Sequence, residues 1–127
     1  MQDRPTVVFA DDNLKVTEVA CALLCSEYDL VKVAADGNQA IRWILELRPD
    51  LAVLDISMPK VDGLSVARQL HQARSETLIV FATIIFDEDY IREALSIGHG
   101  YVLKRRLPFD LLPALASARS GCFFCSR

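Results

Sequence analysis

Short apolar runs recur along the chain, and polar or mixed segments of helical length separate them. Each run is rich in Val, Ile and Leu without polar alternation, which is typical of parallel strands buried on both faces of a sheet. The second run is interrupted by Lys32, which favours an edge position for that strand. The five predicted strands are residues 6–10, 30–34, 51–54, 78–82 and 101–103.

Between these runs, apolar residues repeat with the spacing of amphipathic helices. Val16, Val19, Ala20, Leu23 and Leu24 follow the i, i+3, i+4, i+7, i+8 stripe of a helix with one buried face. Comparable stripes predict a helix after each of the other four strands. The residues expected to begin or end these helices are Asn13, Gly37, Asn38, Pro49, Gly98 and Pro108.

The alternation of strand and helix indicates the fold class. Five strand–helix units predict an α/β fold, a (βα)5 doubly wound five-stranded parallel sheet in the flavodoxin-like order 2-1-3-4-5. We therefore expect one domain over residues 1–118. Residues 119–127 are predicted to form a C-terminal tail or the start of a linker, because no further strand–helix unit follows.

Composition narrows the classes of function. The chain has 127 residues, of which 52% are hydrophobic, as expected for one domain with a sheet covered on both faces. Its 14 basic and 17 acidic residues, a net charge of −3, argue against direct binding of nucleic acid or an anionic membrane. No apolar stretch approaches the roughly 18 residues that span a bilayer, and the polar start MQDRP lacks a signal-peptide core. We therefore expect a cytoplasmic protein.

The four cysteines do not predict a metal or redox site. Cys21 and Cys25 are four residues apart in the first helix, and Cys122 and Cys125 form a single CxxC after a Ser-Gly dipeptide. One CxxC alone is weak support for zinc, and a redox pair would be expected where a helix opens after a strand. We expect reduced thiols without an assigned role.

Polar residues follow the predicted strands where their carboxyl ends share one rim of the sheet. Asp11 and Asp12 follow the first strand, Asp55 the third, Thr83 the fourth and Lys104 the fifth. Ligands of such sheets bind at this rim. Any one of these residues is more often a helix cap, a strand residue or a surface charge, so the prediction depends on their joint placement.

Clustered carboxylates predict a bound cation. Three neighbouring carboxylates repel one another, and a hard divalent ion, Mg²⁺ before Ca²⁺, relieves that repulsion. Asp55 is then a candidate nucleophile towards phosphorus. Lys104 and the hydroxyl of Thr83 would balance the charge on the phosphoryl oxygens. His71 and His99 do not lie among the acidic residues and are left outside this site.

Four motifs at these positions indicate the family that the chain resembles. They are FADDN at 9–13, LDISMPKVDG at 54–63, FAT at 81–83 and GYVLK at 100–104. Over residues 5–118 the chain resembles the receiver domain of bacterial two-component response regulators. The stretch ELRPDLAVLDISMP, and the absence of proline after GYVLK, make it most similar to receivers that precede a LuxR-type helix-turn-helix.

The resemblance implies a role for each acidic residue of the rim. Asp55 is expected to accept a phosphoryl group from a phosphohistidine of a sensor histidine kinase. Asp12 and Asp55 would bind Mg²⁺ directly, together with the main-chain carbonyl of Ser57, and Asp11 would act largely through water. Apart from this self-catalysed transfer and a slow autodephosphorylation, no enzymatic activity is expected.

The resemblance also implies a switch and an output surface. Thr83 and Lys104 would contact the phosphoryl group, and Tyr101 would turn inward on activation. The fourth helix, fifth strand and fifth helix would form the output surface, which is a candidate homodimer interface. DNA would be contacted only by an attached output domain, and the ending CFFCSR favours a receiver excised from a longer transcription regulator.

Other functions are also compatible with the sequence. One is a stand-alone receiver that docks on a partner protein, and another is a pseudo-receiver that works without phosphate. An Mg²⁺-dependent phosphatase with an aspartyl-phosphate intermediate would need a general acid where Ser57 lies and a cap over the site, and the sequence has neither. The bulky Ile84 departs from the family pattern and is a candidate to crowd the approach to Asp55.

Overall fold

The strands lie where the apolar runs predict them. The computed structural model describes residues 4–127, and all strand pairings in it are parallel. The strands are β1 (Thr6–Ala10), β2 (Asp29–Ala34), β3 (Leu51–Leu54), β4 (Leu78–Thr83), β5 (Gly100–Leu103) and β6 (Phe124–Cys125). Their order is β2-β1-β3-β4-β5-β6. The predicted α/β class and the order 2-1-3-4-5 are confirmed, and one further strand extends the sheet.

Helices connect successive strands, as the apolar stripes predict. They are α1 (Leu14–Leu24), α2 (Gly37–Leu47), α3 (Gly63–Gln72), α4 (Glu88–Ile97) and α5 (Leu107–Arg119), with a single-turn 3₁₀ helix at Lys104–Arg106. Asn13 caps α1, because its side chain accepts hydrogen bonds from the N–H groups of Lys15 and Val16. Pro108 lies in the first turn of α5. No helix among residues 4–127 has both the length and the apolar character needed to cross a membrane.

Separate apolar clusters cover the two faces of the sheet. On one face, Phe81 and Tyr101 pack with residues of α2 and α3, including Ile44 and Leu70. On the other face, strand residues pack with α1 and α5, for example through Leu111. Because alternate side chains of each central strand enter one cluster or the other, both sets of positions along the strand are apolar. This explains why the strand sequences show no polar alternation.

The sixth strand was not predicted. The chain leaves α5, passes through Gly121 with a φ of 87°, and returns so that Phe124 pairs with Gly100 and Cys125 with Tyr101. Part of the segment 119–127, which the sequence indicated as a tail or linker, therefore completes the edge of the sheet. A strand of two residues has no periodicity from which a pattern could identify it. Cys122, which follows the turn, and Cys125, which lies in β6, carry free thiols.

Candidate functional site

The carboxyl ends of four strands bring the predicted site residues together at one rim. Asp11 and Asp12 come directly after β1, Asp55 comes directly after β3, and Thr83 is the last residue of β4. Lys104 follows β5 and begins the 3₁₀ turn, where its side chain reaches back over the rim. The parallel arrangement of the strands therefore assembles residues that are up to 93 positions apart in the sequence, from Asp11 to Lys104.

A buried ion-pair network forms the centre of the site. The Lys104 ammonium lies 2.7 Å from Oδ2 of Asp11 and 2.9 Å from Oδ2 of Asp55. The side chain of Lys104 is 14% exposed, and those of Asp11 and Asp55 are 1% and 3% exposed. Charges at this depth are screened little by solvent, so the two carboxylates depend on the ammonium for compensation.

Main-chain N–H groups orient the two buried carboxylates. Oδ1 of Asp11 accepts a hydrogen bond of 2.8 Å from the N–H of Asn13, and Oδ1 of Asp55 accepts one of 3.1 Å from the N–H of Ser57. In each case the second oxygen is the one that faces Lys104. Both side chains are therefore held from two sides, and Ser57 lies beside Asp55 as its sequence position requires.

A third carboxylate gives the cluster an excess of negative charge. One oxygen from each of Asp11, Asp12 and Asp55 can be chosen so that the three lie within 4.8 Å of one another. Asp12 is exposed, whereas the other two acids are buried. One ammonium compensates only one of the three negative charges. A set of hard oxygen donors with two charges uncompensated fits a divalent cation such as Mg²⁺.

The environment shifts the protonation of the two central groups. Burial raises the pKa of the Asp55 carboxyl and the charge of Asp11 adds to the rise, while the hydrogen bond and charge of Lys104 act against it. Burial alone would lower the pKa of Lys104, but its close contacts with the carboxylates of Asp11 and Asp55 and their negative charges raise it above its ordinary value. Lys104 therefore stays charged, and it supports the ionised form of Asp55.

The loop after Asp55 depends on Gly63. The N–H of Gly63 donates a hydrogen bond of 2.9 Å to the carbonyl oxygen of Ile56, and Asp62 caps α3 by accepting from the N–H of Ser65 at 2.9 Å. A Cβ atom at Gly63 would collide with the carbonyl oxygen of Asp55. The start of α3 is thus packed directly against the main chain that carries Asp55.

Thr83 and Tyr101 are linked through the loop that follows β4. Both side chains are fully buried. Oγ1 of Thr83 accepts a hydrogen bond of 3.2 Å from the N–H of Ile85, and the Tyr101 hydroxyl donates to the carbonyl oxygen of the same residue. Burial, with smaller effects of nearby acidic groups, raises the pKa of Tyr101 to about 12. Tyr101 already points inward, whereas Ile84 is 75% exposed.

A second polar cluster next to the rim was missed by the sequence analysis. Asp110 in α5 is buried and accepts hydrogen bonds from the side chains of Arg106, at 3.3 Å, and Ser126, at 2.7 Å. The i,i+4 spacing of Arg106 and Asp110 is a signal that could have been read. Ser126 carries no such signal, because its contact exists only once the chain has folded back along β5.

The chain is similar to known proteins over most of its length. Residues 7–116 match the family described as the response regulator receiver domain. The oxygen regulatory protein NreC of Staphylococcus epidermidis is 34% identical over 119 residues, which cover 91% of this chain and 55% of that protein. The chain spans about half the length of the curated relatives it matches.

Solved structures show the same fold. The receiver domain of the response regulator NarL from Mycobacterium tuberculosis superposes with a TM-score of 0.88 at 26% identity, covering 94% of this chain and 99% of that one. A two-component response regulator of the LuxR family from Aurantimonas also gives 0.88 at 26% identity, covering 96% and 89%. The chain belongs to the response regulator receiver domain family.

Proposed function

We propose that this receiver domain is a phosphorylation-controlled signalling switch that accepts a phosphoryl group on Asp55 from a sensor histidine kinase. The observation that carries the proposal is the buried contact of the Lys104 ammonium with Asp55 and Asp11, at 2.9 and 2.7 Å. It supports the proposal because the buried carboxylate of Asp55 lies next to a fixed positive charge and among hard oxygen donors. A solvated loop residue would need none of these surroundings.

The transfer would use Asp55 as the nucleophile. One carboxylate oxygen forms a bond to phosphorus, the bond from phosphorus to the kinase histidine breaks, and its electron pair stays on the imidazole nitrogen. The Lys104 ammonium would compensate the negative charge first on the carboxylate and then on the phosphoryl oxygens. The buried hydroxyl of Thr83 can donate a hydrogen bond to one of these oxygens. The chemistry of the domain is confined to this step and to slow autodephosphorylation.

Mg²⁺ would be held by Asp12 and Asp55, with the main-chain carbonyl of Ser57 and with Asp11 acting largely through water. When bound, the ion supplies a divalent charge that stabilises the phosphoryl oxygens. The chain's own part is to gather the oxygen donors and to compensate part of their charge through Lys104, whose ammonium contacts Asp11 and Asp55. Asp12 is the exposed member of the three acids.

Asp55 is expected to be the sole phosphoacceptor. Intact-mass analysis after incubation with acetyl phosphate and Mg²⁺ should show one added phosphoryl group, because no other carboxylate of the cluster combines burial with contact to Lys104 and a place at the end of β3. Asp55→Asn should show none, and Asp50→Asn, at the opposite ends of the strands, should behave as the parent. Phosphate that still arrives on Asp55→Asn would refute the assignment, and a parent protein that takes up none would favour a pseudo-receiver.

Mg²⁺ binding is expected to need Asp12 and to occur without phosphate. Titration should shift amide signals of residues 11–13 and 55, because the carboxylates already lie together. Trp43 on α2 should respond little, since its ring packs 4.3 Å from the ammonium of Lys32 and away from the acids. Asp12→Ala should weaken binding at least about tenfold. Equal affinity of the variant and the parent would place the ion elsewhere.

The output is proposed to be transcription regulation through an attached DNA-binding domain. The support is that the chain spans about half of relatives such as an oxygen regulatory protein and resembles a receiver of the LuxR family. The surface of α4, β5 and α5 would transmit the signal, with homodimer formation as one form of it. A stand-alone receiver that docks on a partner is the alternative. Sequencing of the whole reading frame separates the two.

A further inference from the structure

The outer edge of β5 is occupied by the chain itself. Residues 123–126, which we call the strap, run parallel to β5, and the N–H of Ser126 donates a hydrogen bond of 2.9 Å to the carbonyl oxygen of Tyr101. The receiver family matches only residues 7–116, so the strap lies beyond the part of the chain that family membership describes. Its role therefore depends on its own contacts.

Ser126 anchors the strap. It is 1% exposed, and its hydroxyl donates to Oδ2 of Asp110 at 2.7 Å while accepting from the N–H of Leu103 at 3.0 Å. Arg106 holds the same carboxylate through two contacts of 3.3 Å. The hydroxyl thus donates to a residue of α5 and accepts from a residue of β5. A buried hydroxyl with both functions satisfied indicates a specific docking contact.

The strap packs on both faces of the sheet. Phe123 and Cys125 pack against the apolar cluster that contains Tyr101, and Phe124 packs against the cluster formed by α1 and α5. This alternation is that of a true edge strand, which adds main-chain hydrogen bonds and places its side chains in separate pockets. The strap therefore recognises the β5 edge through side chains as well as through backbone.

Hydrogen bonds connect the strap to the rim. The main chain of Tyr101 is bound by Ser126, and its hydroxyl donates to the carbonyl oxygen of Ile85. The N–H of Ile85 in turn donates to Oγ1 of Thr83 at 3.2 Å. Leu103, the second residue held by Ser126, directly precedes Lys104. Docking of the strap is thus linked to Thr83 and Lys104, the two residues that would contact a phosphoryl group.

We propose that the β5 edge and Asp110 form a strand-docking site for the chain's own strap, and that strap docking and phosphorylation of Asp55 favour each other. A phosphoryl oxygen that engages the hydroxyl of Thr83 would hold the turn on which the inward position of Tyr101 depends, and the strap holds that same position from β5. Two events that stabilise one arrangement are reciprocally coupled. The inference rests on the proposed function.

The test compares the full chain with Ser126→Ala, which removes the anchor without touching the rim. Ser120→Ala is the matched control, because that hydroxyl is exposed and bonds only to the carbonyl oxygen of Ser117 in the same helix. Amide hydrogen exchange should show that the N–H of Leu103 loses protection in Ser126→Ala and keeps it in Ser120→Ala. Beryllofluoride with Mg²⁺, a phosphoryl mimic, should bind Ser126→Ala about tenfold more weakly than the parent.

Each outcome decides a different point. A Leu103 amide that is unprotected in the parent would mean that the strap does not dock. Loss of protection in Ser126→Ala with unchanged or tighter beryllofluoride binding would overturn the coupling while leaving the phosphorylation site intact. No beryllofluoride binding by the parent would instead contradict the proposed function. If Ser126→Ala folds poorly, Phe124→Ala is the second variant, because it shortens a packed side chain outside the hydrogen-bonded group. It should lower both the protection of the Leu103 N–H and the affinity for beryllofluoride.

Discussion

Replacing Lys104 by methionine is expected to lower the free energy of unfolding by about 3 kcal/mol at neutral pH in the absence of Mg²⁺. The substitution keeps the length of the side chain but leaves the buried carboxylates of Asp11 and Asp55 facing each other without the ammonium that now lies 2.7 and 2.9 Å from them. Urea unfolding followed by circular dichroism measures the loss. Lys60→Met is the matched control, because Lys60 is 64% exposed and 3.6 Å from Asp36, and such pairs contribute at most about 1 kcal/mol.

The pH dependence of the loss follows from the direction of the pKa shifts. In the parent the pKa of Lys104 is raised, so its stabilising effect is complete at neutral pH and is lost only as the pH rises through its folded value, above 10.5. In Lys104→Met the raised pKa of Asp55 loses the opposing effect of the ammonium, so Asp55 binds its proton more tightly in the folded than in the unfolded chain and the deficit should shrink as the pH falls towards about 4. Saturating Mg²⁺ should also reduce it. A loss equal to that of Lys60→Met would show that the network is not needed for stability.

Gly63→Ala is expected to destabilise the fold by about 3 kcal/mol and to slow phosphorylation of Asp55 by acetyl phosphate about tenfold or more. The new Cβ atom would collide with the carbonyl oxygen of Asp55 and lie 2.9 Å from its carbonyl carbon and 3.0 Å from Cα of Ile56. Main-chain atoms cannot rotate out of the way as a side chain can, so either α3 or the strand end that carries Asp55 must move. Thermal unfolding and the rate of mass gain measure the two effects.

The control for this prediction is another buried glycine. At Gly100 the nearest atom to an added Cβ is a methyl carbon of Val80 at 3.2 Å, which can yield by a small rotation. Gly100→Ala should therefore cost clearly less stability than Gly63→Ala and should leave the phosphorylation rate close to that of the parent. If the two variants lose stability equally and both keep their rate, the close approach at Gly63 does not position Asp55.

The positions of strands and helices followed from residue pattern alone. The apolar runs predicted five strands to within one residue at each end, and Asn13 and Pro108 were found at the helix starts that their chemistry favours. The gathering of Asp11, Asp55 and Lys104 was also predictable, since parallel strands must end at one rim. These features depend on local periodicity and on the order of strands and helices along the chain, and both can be read from the sequence.

Other features depend on contacts between parts of the chain that no local pattern connects. The resemblance implied that Tyr101 turns inward on activation, and its side chain is buried in this structure, where its hydroxyl donates to the carbonyl oxygen of Ile85 and the strap packs on the same apolar cluster. The contact of Ser126 with Leu103 and Asp110 joins residues 23 and 16 positions apart. Such a contact forms only when the sheet and α5 have already brought an unpaired N–H and a buried carboxylate within reach of one hydroxyl. The position of the strap is therefore set by burial and by satisfied hydrogen bonds, which are properties of the assembled fold.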